Sequence, residues 1–130
     1  MNYFLIGLGS NIEPEVHMPA AIKALQNVGH LITQSEILVN PPCGQGFDGL
    51  FHNQLLVLST PLTAAELKPQ LEQIEIALGR EPKTPQRKFN NRTIDIDILN
   101  QQASAQQCLN VELKDNYNQT IMNSWAPAIQ

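Results

Sequence analysis

The chain has 130 residues, 42% of them hydrophobic, with a formal charge of -4 and a pI near 5.2, which suits one domain over 1–130 built on a single core. The acidic balance argues against a nucleic-acid partner, although a local basic cluster is enough to hold phosphate. Cys43 and Cys108 stand far apart, which argues against a disulfide framework or structural zinc site and reads as two free thiols in a reducing, cytoplasmic compartment. The start MNYFLIGLGSN lacks the regions of a signal peptide, and no apolar run is long enough to span a membrane, so neither is expected.

Residues 3–9, YFLIGLG, read as a central strand ending at Gly9, Ser10 and Asn11. A helix is expected over 18–27, with Ile22 and Leu25 on one face, Pro19 as an awkward interior residue and Gly29 as the stop. Residues 30–40 predict a second strand, closed by Pro41 and Pro42, which offer no backbone donor. A loop with three glycines over 43–50 leads to a third strand at 52–59, where Gln54, Leu56 and Leu58 share one face and Leu55 and Val57 the other.

Thr63 and Glu66 have the spacing of a capping box, and Leu67, Leu71, Ile74 and Leu78 form the apolar stripe of the helix that follows, closed by Gly79. Residues 80–91 carry two prolines and no hydrophobic period, and predict a loop. A fourth strand is expected at 93–99. Beyond it the pattern is weak, apart from a short strand expected at 108–113. The order strand-helix-strand-strand-helix-strand predicts an α+β, ferredoxin-like fold, an antiparallel sheet with helices on one face.

The fourth strand sets Asp95 and Asp97 between Ile94, Ile96 and Ile98. Residues two apart in a strand point to one side, so the carboxylates share a face, roughly 6–7 Å apart, and the isoleucines share the other. Such a pair is either a solvated face or a holder of hard cations. Just before it, residues 80–92 hold five of the chain's eight basic residues, Arg80, Lys83, Arg87, Lys88 and Arg92, against the single acid Glu81. Alone this is a solvated connection. Beside two aspartates it is the combination a magnesium polyphosphate needs, with cations bridging carboxylate to phosphate and Arg or Lys meeting the other oxygens.

Four segments carry a resemblance. RTIDIDIL at 92–99 resembles the RTLDLDIL signature of 6-hydroxymethyl-7,8-dihydropterin pyrophosphokinases, enzymes of folate biosynthesis. IGLGSN at 6–11, NPPCG at 40–44 followed by FHN at 51–53, and IEIALGR at 74–80 are similar to further segments of that family in the same order. The resemblance implies transfer of pyrophosphate from ATP to the hydroxymethyl group of a reduced pterin, with release of AMP and two magnesium ions on Asp95 and Asp97. It implies phosphate binding by Arg92, nucleotide contacts from Glu75, Arg80, Arg87 and Lys88, and a pterin site made by Pro42, Cys43, Phe51, Asn53 and Phe89. ATP and the pterin are the implied partners, with no membrane or nucleic acid.

The chain also departs from that pattern. Phe89, Asn90 and Asn91 precede Arg92 where the family usually has Trp, Gly and Pro. The family continues past the acidic strand with a histidine and an arginine that serve ATP; here the histidines are His17, His30 and His52, and Lys114 is the one basic residue after Arg92. A catalytically impaired relative that binds a nucleotide, a pterin or a protein is therefore the alternative. An RNA-binding module of the same fold fits less well, because two acids occupy its open sheet face.

Overall fold

A computed structural model describes residues 1–40, 51–79 and 94–129. The chain runs β1 (Asn2–Ser10), α1 (Pro14–Leu25), β2 (His30–Gln34), β3 (Leu38–Asn40), β4 (Phe51–Thr60), α2 (Ala64–Ala77), β5 (Asp95–Gln102), α3 (Ala105–Cys108) and α4 (Asn116–Ile129). The strands lie in the order β2-β4-β1-β5, with β3 also on β4. Every pairing among them is antiparallel.

β1 and β4 pair over their whole length, from Asn2 opposite Thr60 to Ser10 opposite His52. Both are buried on both faces, which explains why their sequences are continuous apolar runs rather than alternations. On one side Phe4, Ile6, Leu8, Leu56, Leu58, Ile94 and Ile96 meet Met18, Ala21 and Leu25 of α1 and Leu67 and Leu71 of α2. This is the helix-covered face the sequence predicts, with Leu56 and Leu58 on it as read. On the other side Leu5, Leu55 and Val57 meet Cys108 and Leu109 and the α4 residues Ile121, Met122, Trp125 and Ala126. The weakly patterned tail thus supplies a second layer of helices.

Several boundaries differ from the sequence reading, each for a local reason. α1 starts at Pro14, where a proline's fixed φ and missing N–H suit the first helical position. Pro19 lies inside this helix on an exposed position, so its ring does not intrude on the core. The strand expected over 30–40 splits at Ser35. Its Oγ accepts the Leu55 N–H at 2.9 Å and donates to the Glu36 carbonyl at 2.9 Å, so a side chain replaces part of the backbone ladder. The strand expected at 108–113 is absent: Ser104 Oγ accepts the Gln107 N–H at 3.2 Å and caps α3 there instead.

The capping box of α2 is present. Thr63 Oγ1 accepts the Glu66 N–H at 3.2 Å, and Glu66 Oε1 accepts the Thr63 N–H at 3.0 Å. These bonds, the one from the Thr63 backbone first, hold the Glu66 carboxyl below its ordinary range. Gly79 closes the helix with φ 94°, a left-handed value that suits glycine. The turn after α1 also requires glycine, because a Cβ at Gly29 would lie 2.5 Å from the Ser59 carbonyl oxygen.

Candidate functional site

The site grows from the register of three strands. Asn53 of β4 lies opposite Gly9 of β1, and Gly9 lies opposite Asp95 of β5. Directly opposed residues point to the same side of a sheet. Asn53 and Asp95 therefore face the same way across a strand that has no side chain between them. Two strand spacings separate them, about 10 Å. A Cβ at Gly9 would already stand 3.2 Å from Asn53 Oδ1, so the gap is one that any larger residue would start to fill. In the next row Asp97 lies opposite Gly7, and Gly7 opposite Leu55.

Asp95 is half-buried and Asp97 exposed, while Ile94 and Ile96 on the other face are buried. The i, i+2 reading of this strand holds. β5 begins at Asp95, two residues later than expected, and runs on to Gln102. Its register slips between the partners of Leu5 and Ile6, which face Asn100 and Ile98, so Leu99 is a bulge residue. Leu99 packs with the α3–α4 layer, and its Cδ1 lies 3.1 Å from where a Gly7 Cβ would be.

Glu75 lies on the other flank. It is buried on α2, and its Oε2 accepts the Ile96 N–H at 2.8 Å. That N–H is therefore directed at α2 rather than spent on β1. Lys68, Glu72 and Glu75 of α2 and Asp97 and Ile98 of β5 are among the residues that line a cleft of about 350 Å³ between the two elements. Phe51 is half-buried at the start of β4, opposite Asn40. Asn53 is buried, at 6% exposure, two residues on. Strand alternation places Phe51 and Asn53 on one side of β4.

Of the residues singled out in the sequence, Asp95, Asp97 and Asn53 thus share one sheet face, Phe51 is placed at its edge, and Glu75 reaches β5 from the opposite layer. Pro42, Cys43, Arg80, Arg87, Lys88, Phe89 and Arg92 lie outside the described residues. Cys108 is a free, buried thiol, with Sγ donating to the Tyr3 carbonyl at 3.5 Å; burial pushes its pKa up.

Two features escaped the sequence reading. One is the Gly9 gap, which needs the cross-strand register to be seen. The other is Tyr117 in the first turn of α4. Its pKa is pushed up to about 12, by burial first, then by the charge of Asp115 and a hydrogen bond donated to it, then by the charges of Asp95 and Asp97. The phenol therefore lies within electrostatic reach of the acid pair, on the side covered by α4.

Among the described residues no group of three or more His, Cys, Asp and Glu gathers to hold a metal. Two carboxylates on one face with glycines opposite do suit magnesium, which commonly takes one or two protein carboxylates and fills its other positions with phosphate oxygens and water. Among the described residues no helix is long and apolar enough to cross a membrane.

Comparison with known proteins agrees on one family. Residues 5–121 match the model of 7,8-dihydro-6-hydroxymethylpterin-pyrophosphokinase. Proteins named 2-amino-4-hydroxy-6-hydroxymethyldihydropteridine pyrophosphokinase from two strains of Porphyromonas gingivalis are 33% identical over 96 residues, covering 72% of this chain and 65% of theirs. One of the same name from Helicobacter pylori is 31% identical over 104 residues, covering 75% of this chain and 61% of its own length. The chain thus spans less than two thirds of the length of these relatives.

Proposed function

The chain belongs to the 7,8-dihydro-6-hydroxymethylpterin-pyrophosphokinase family, and from that premise we propose that it transfers pyrophosphate from ATP to 6-hydroxymethyl-7,8-dihydropterin, giving AMP. The observation that carries this reading is the row Asn53, Gly9, Asp95, with Asp97 beside it. An amide that both donates and accepts suits the edge of a pterin ring. Two carboxylates on the same face suit a metal-bound triphosphate. Asp95 and Asp97 are the residues that would hold magnesium, whose charge neutralises the phosphate oxygens when bound. The strand order β2-β4-β1-β5, antiparallel throughout, supports a ferredoxin-like frame for the site.

In this reading the protein's own residues bind and orient. The hydroxyl of the pterin attacks the β-phosphorus of ATP, and the leaving group is AMP. Little is asked of a side-chain base, because in-line positioning supplies much of the rate in such a transfer. Asn53 and Phe51 hold the acceptor. The cleft at Glu75 takes the nucleoside end of ATP, with Arg80, Arg87, Lys88 and Arg92 meeting phosphate. Pro42, Cys43 and Phe89 complete the pterin side.

One observation favours a second reading, a relative that binds its ligands without turnover. The side chain at the start of α4 that feels the charge of both aspartates is the Tyr117 phenol, an uncharged group.

One experiment separates the two. AMP release from magnesium-ATP is measured with and without the pterin, beside an Asp97→Ala variant, and equilibrium binding of both ligands is measured in parallel. Pterin-dependent AMP that disappears in Asp97→Ala supports transfer. Binding without AMP supports the second reading, and neither binding nor AMP from folded protein sinks both.

A further inference from the structure

α4 carries a polar residue on its buried stripe. Among its described residues the buried ones are Asn118, Ile121, Met122, Trp125 and Ala126, and their spacing of three and four puts them on one face of the helix. The last four pack in one layer with Leu5, Leu55 and Val57 of the sheet. Asn118 is the first residue of that stripe, one turn nearer the start of α4, and is 5% exposed.

The end of α4 that carries Asn118 is the end nearer the acid pair. The adjacent Tyr117 feels the charges of both Asp95 and Asp97, whereas Ile121 and Trp125, further along, sit in the apolar layer. The sheet changes in the same sense, from Leu5 and Val57 to Gly9 and Asn53. Asn118 therefore lies on the sheet-facing side of α4 where the apolar half of the layer gives way to the polar half.

Its amide is unpartnered but not sealed. The Asn118 side chain makes no hydrogen bond among the described residues. Among them the one side-chain N or O that is both closed off from solvent and unpartnered is Trp125 Nε1, so the little surface Asn118 retains includes its amide oxygen and nitrogen. The next residue shows the contrast: Gln119 Oε1 accepts the Leu113 N–H at 2.8 Å, and its Nε2 donates to Asn123 Oδ1 at 2.8 Å. Folds rarely keep a buried amide without partners, because burial costs it water and returns nothing.

We infer that Asn118 is a second amide, besides Asn53, that reads the polar edge of the acceptor heterocycle, an assignment that rests on the transfer reading above. Asn53 is supplied by the sheet and Asn118 by the helix layer that covers it, and Gly9 leaves room beside Asn53 for a flat ring. An amide both donates and accepts, as does the edge of a pterin. A polyphosphate offers acceptors only and draws charged partners, which the start of the apolar stripe does not supply. The acceptor provides the hydrogen bonds that the fold leaves out.

Asn118→Leu and Asn118→Ala in the full chain test this. A side chain kept for the fold loses stability when replaced, whereas one kept for a ligand does not. Asn118→Leu continues the apolar stripe and should melt at or above the Tm of the parent. Titration with 6-hydroxymethyl-7,8-dihydropterin, in magnesium and a non-hydrolysable ATP analogue, should show acceptor binding at least about tenfold weaker in both variants, while Kd for the analogue alone changes by less than about twofold. Asn118→Ala carries the test if leucine does not fit. Unchanged acceptor affinity in a folded variant, a loss that falls on the nucleotide instead, or a Tm that drops in both variants overturns the assignment and leaves the transfer reading standing. A folded parent chain that binds no acceptor overturns the transfer reading, and the assignment with it.

Discussion

The sheet face under α1 and α2 carries Phe4, Ile6, Leu8, Leu56, Leu58, Ile94 and Ile96 in one apolar layer. The face under α3 and α4 carries Leu5, Leu55 and Val57 in its core, then gives way to Gly7, Gly9, Asn53, Asp95 and Asp97. Both faces are cut from alternate residues of the same three strands. The first is a continuous apolar layer. The second is half core and half candidate site, and its polar half lies where backbone glycines leave room. A strand's period of two lets one segment, Ile94 to Ile98, anchor the fold with one set of side chains and present acids with the other.

That contrast can be broken from either side. The largest effect is expected on the site face: Asp95→Asn should lower pterin-dependent AMP release by about 10³-fold or more, about 4 kcal/mol in the barrier. Urea unfolding should place its stability within about 0.5 kcal/mol of the parent, since the side chain is only half-buried. On the opposite face Leu56→Ala should do the reverse, costing about 2–5 kcal/mol of stability. Activity per folded molecule should be retained at temperatures well below the shifted Tm. Loss of both in Asp95→Asn would mean that the two faces are not separable.

Glu75 lies between these extremes. Glu75→Ala removes the acceptor of the buried Ile96 N–H and should cost about 1–3 kcal/mol in denaturant unfolding. If the carboxylate also meets the nucleotide, KM for ATP rises in the same variant; an unchanged KM would confine Glu75 to holding β5 against α2.

The smallest effect is an alkaline one. Tyr117 has a folded pKa of about 12, above its ordinary 10.0, so the neutral phenol is favoured by folding. The stability this contributes is complete below pH 10.0 and is lost as pH rises towards about 12. Tm measured across that window should fall less steeply for Tyr117→Phe than for the parent, and identical slopes would mean that folding does not raise the phenol's pKa.

The legible parts of this molecule are those decided within one element. The capping box at Thr63, the stripe Leu67, Leu71 and Ile74, and the alternation around Asp95 depend on nearest neighbours along the chain, and each stands where the residues place it. The split at Ser35 was not legible, because a hydroxyl that reaches Leu55 of another strand leaves no mark in local pattern. The tail was misread as strand because its apolar residues, Cys108, Leu109 and Val111, pack on the sheet from a short helix and its exit. In the site, the spacing of Asp95 and Asp97 was readable from sequence. The opposition of Asn53, Gly9 and Asp95 was not, since register between strands distant in the chain is a tertiary fact.

The bulge at Leu99 divides β5 into two segments whose phases are set independently. Upstream of it, Asp95 and Asp97 keep step with Gly9 and Gly7; downstream, Asn100 to Gln102 keep step with Leu5 to Tyr3. A residue gained or lost beyond Leu99 would otherwise have turned both carboxylates into the apolar layer. With the slip already absorbed at that point, the turn into α3 and the whole tail can change length without rotating either acid, so the C-terminal part of such a chain is free to diverge while the acidic strand holds its aim.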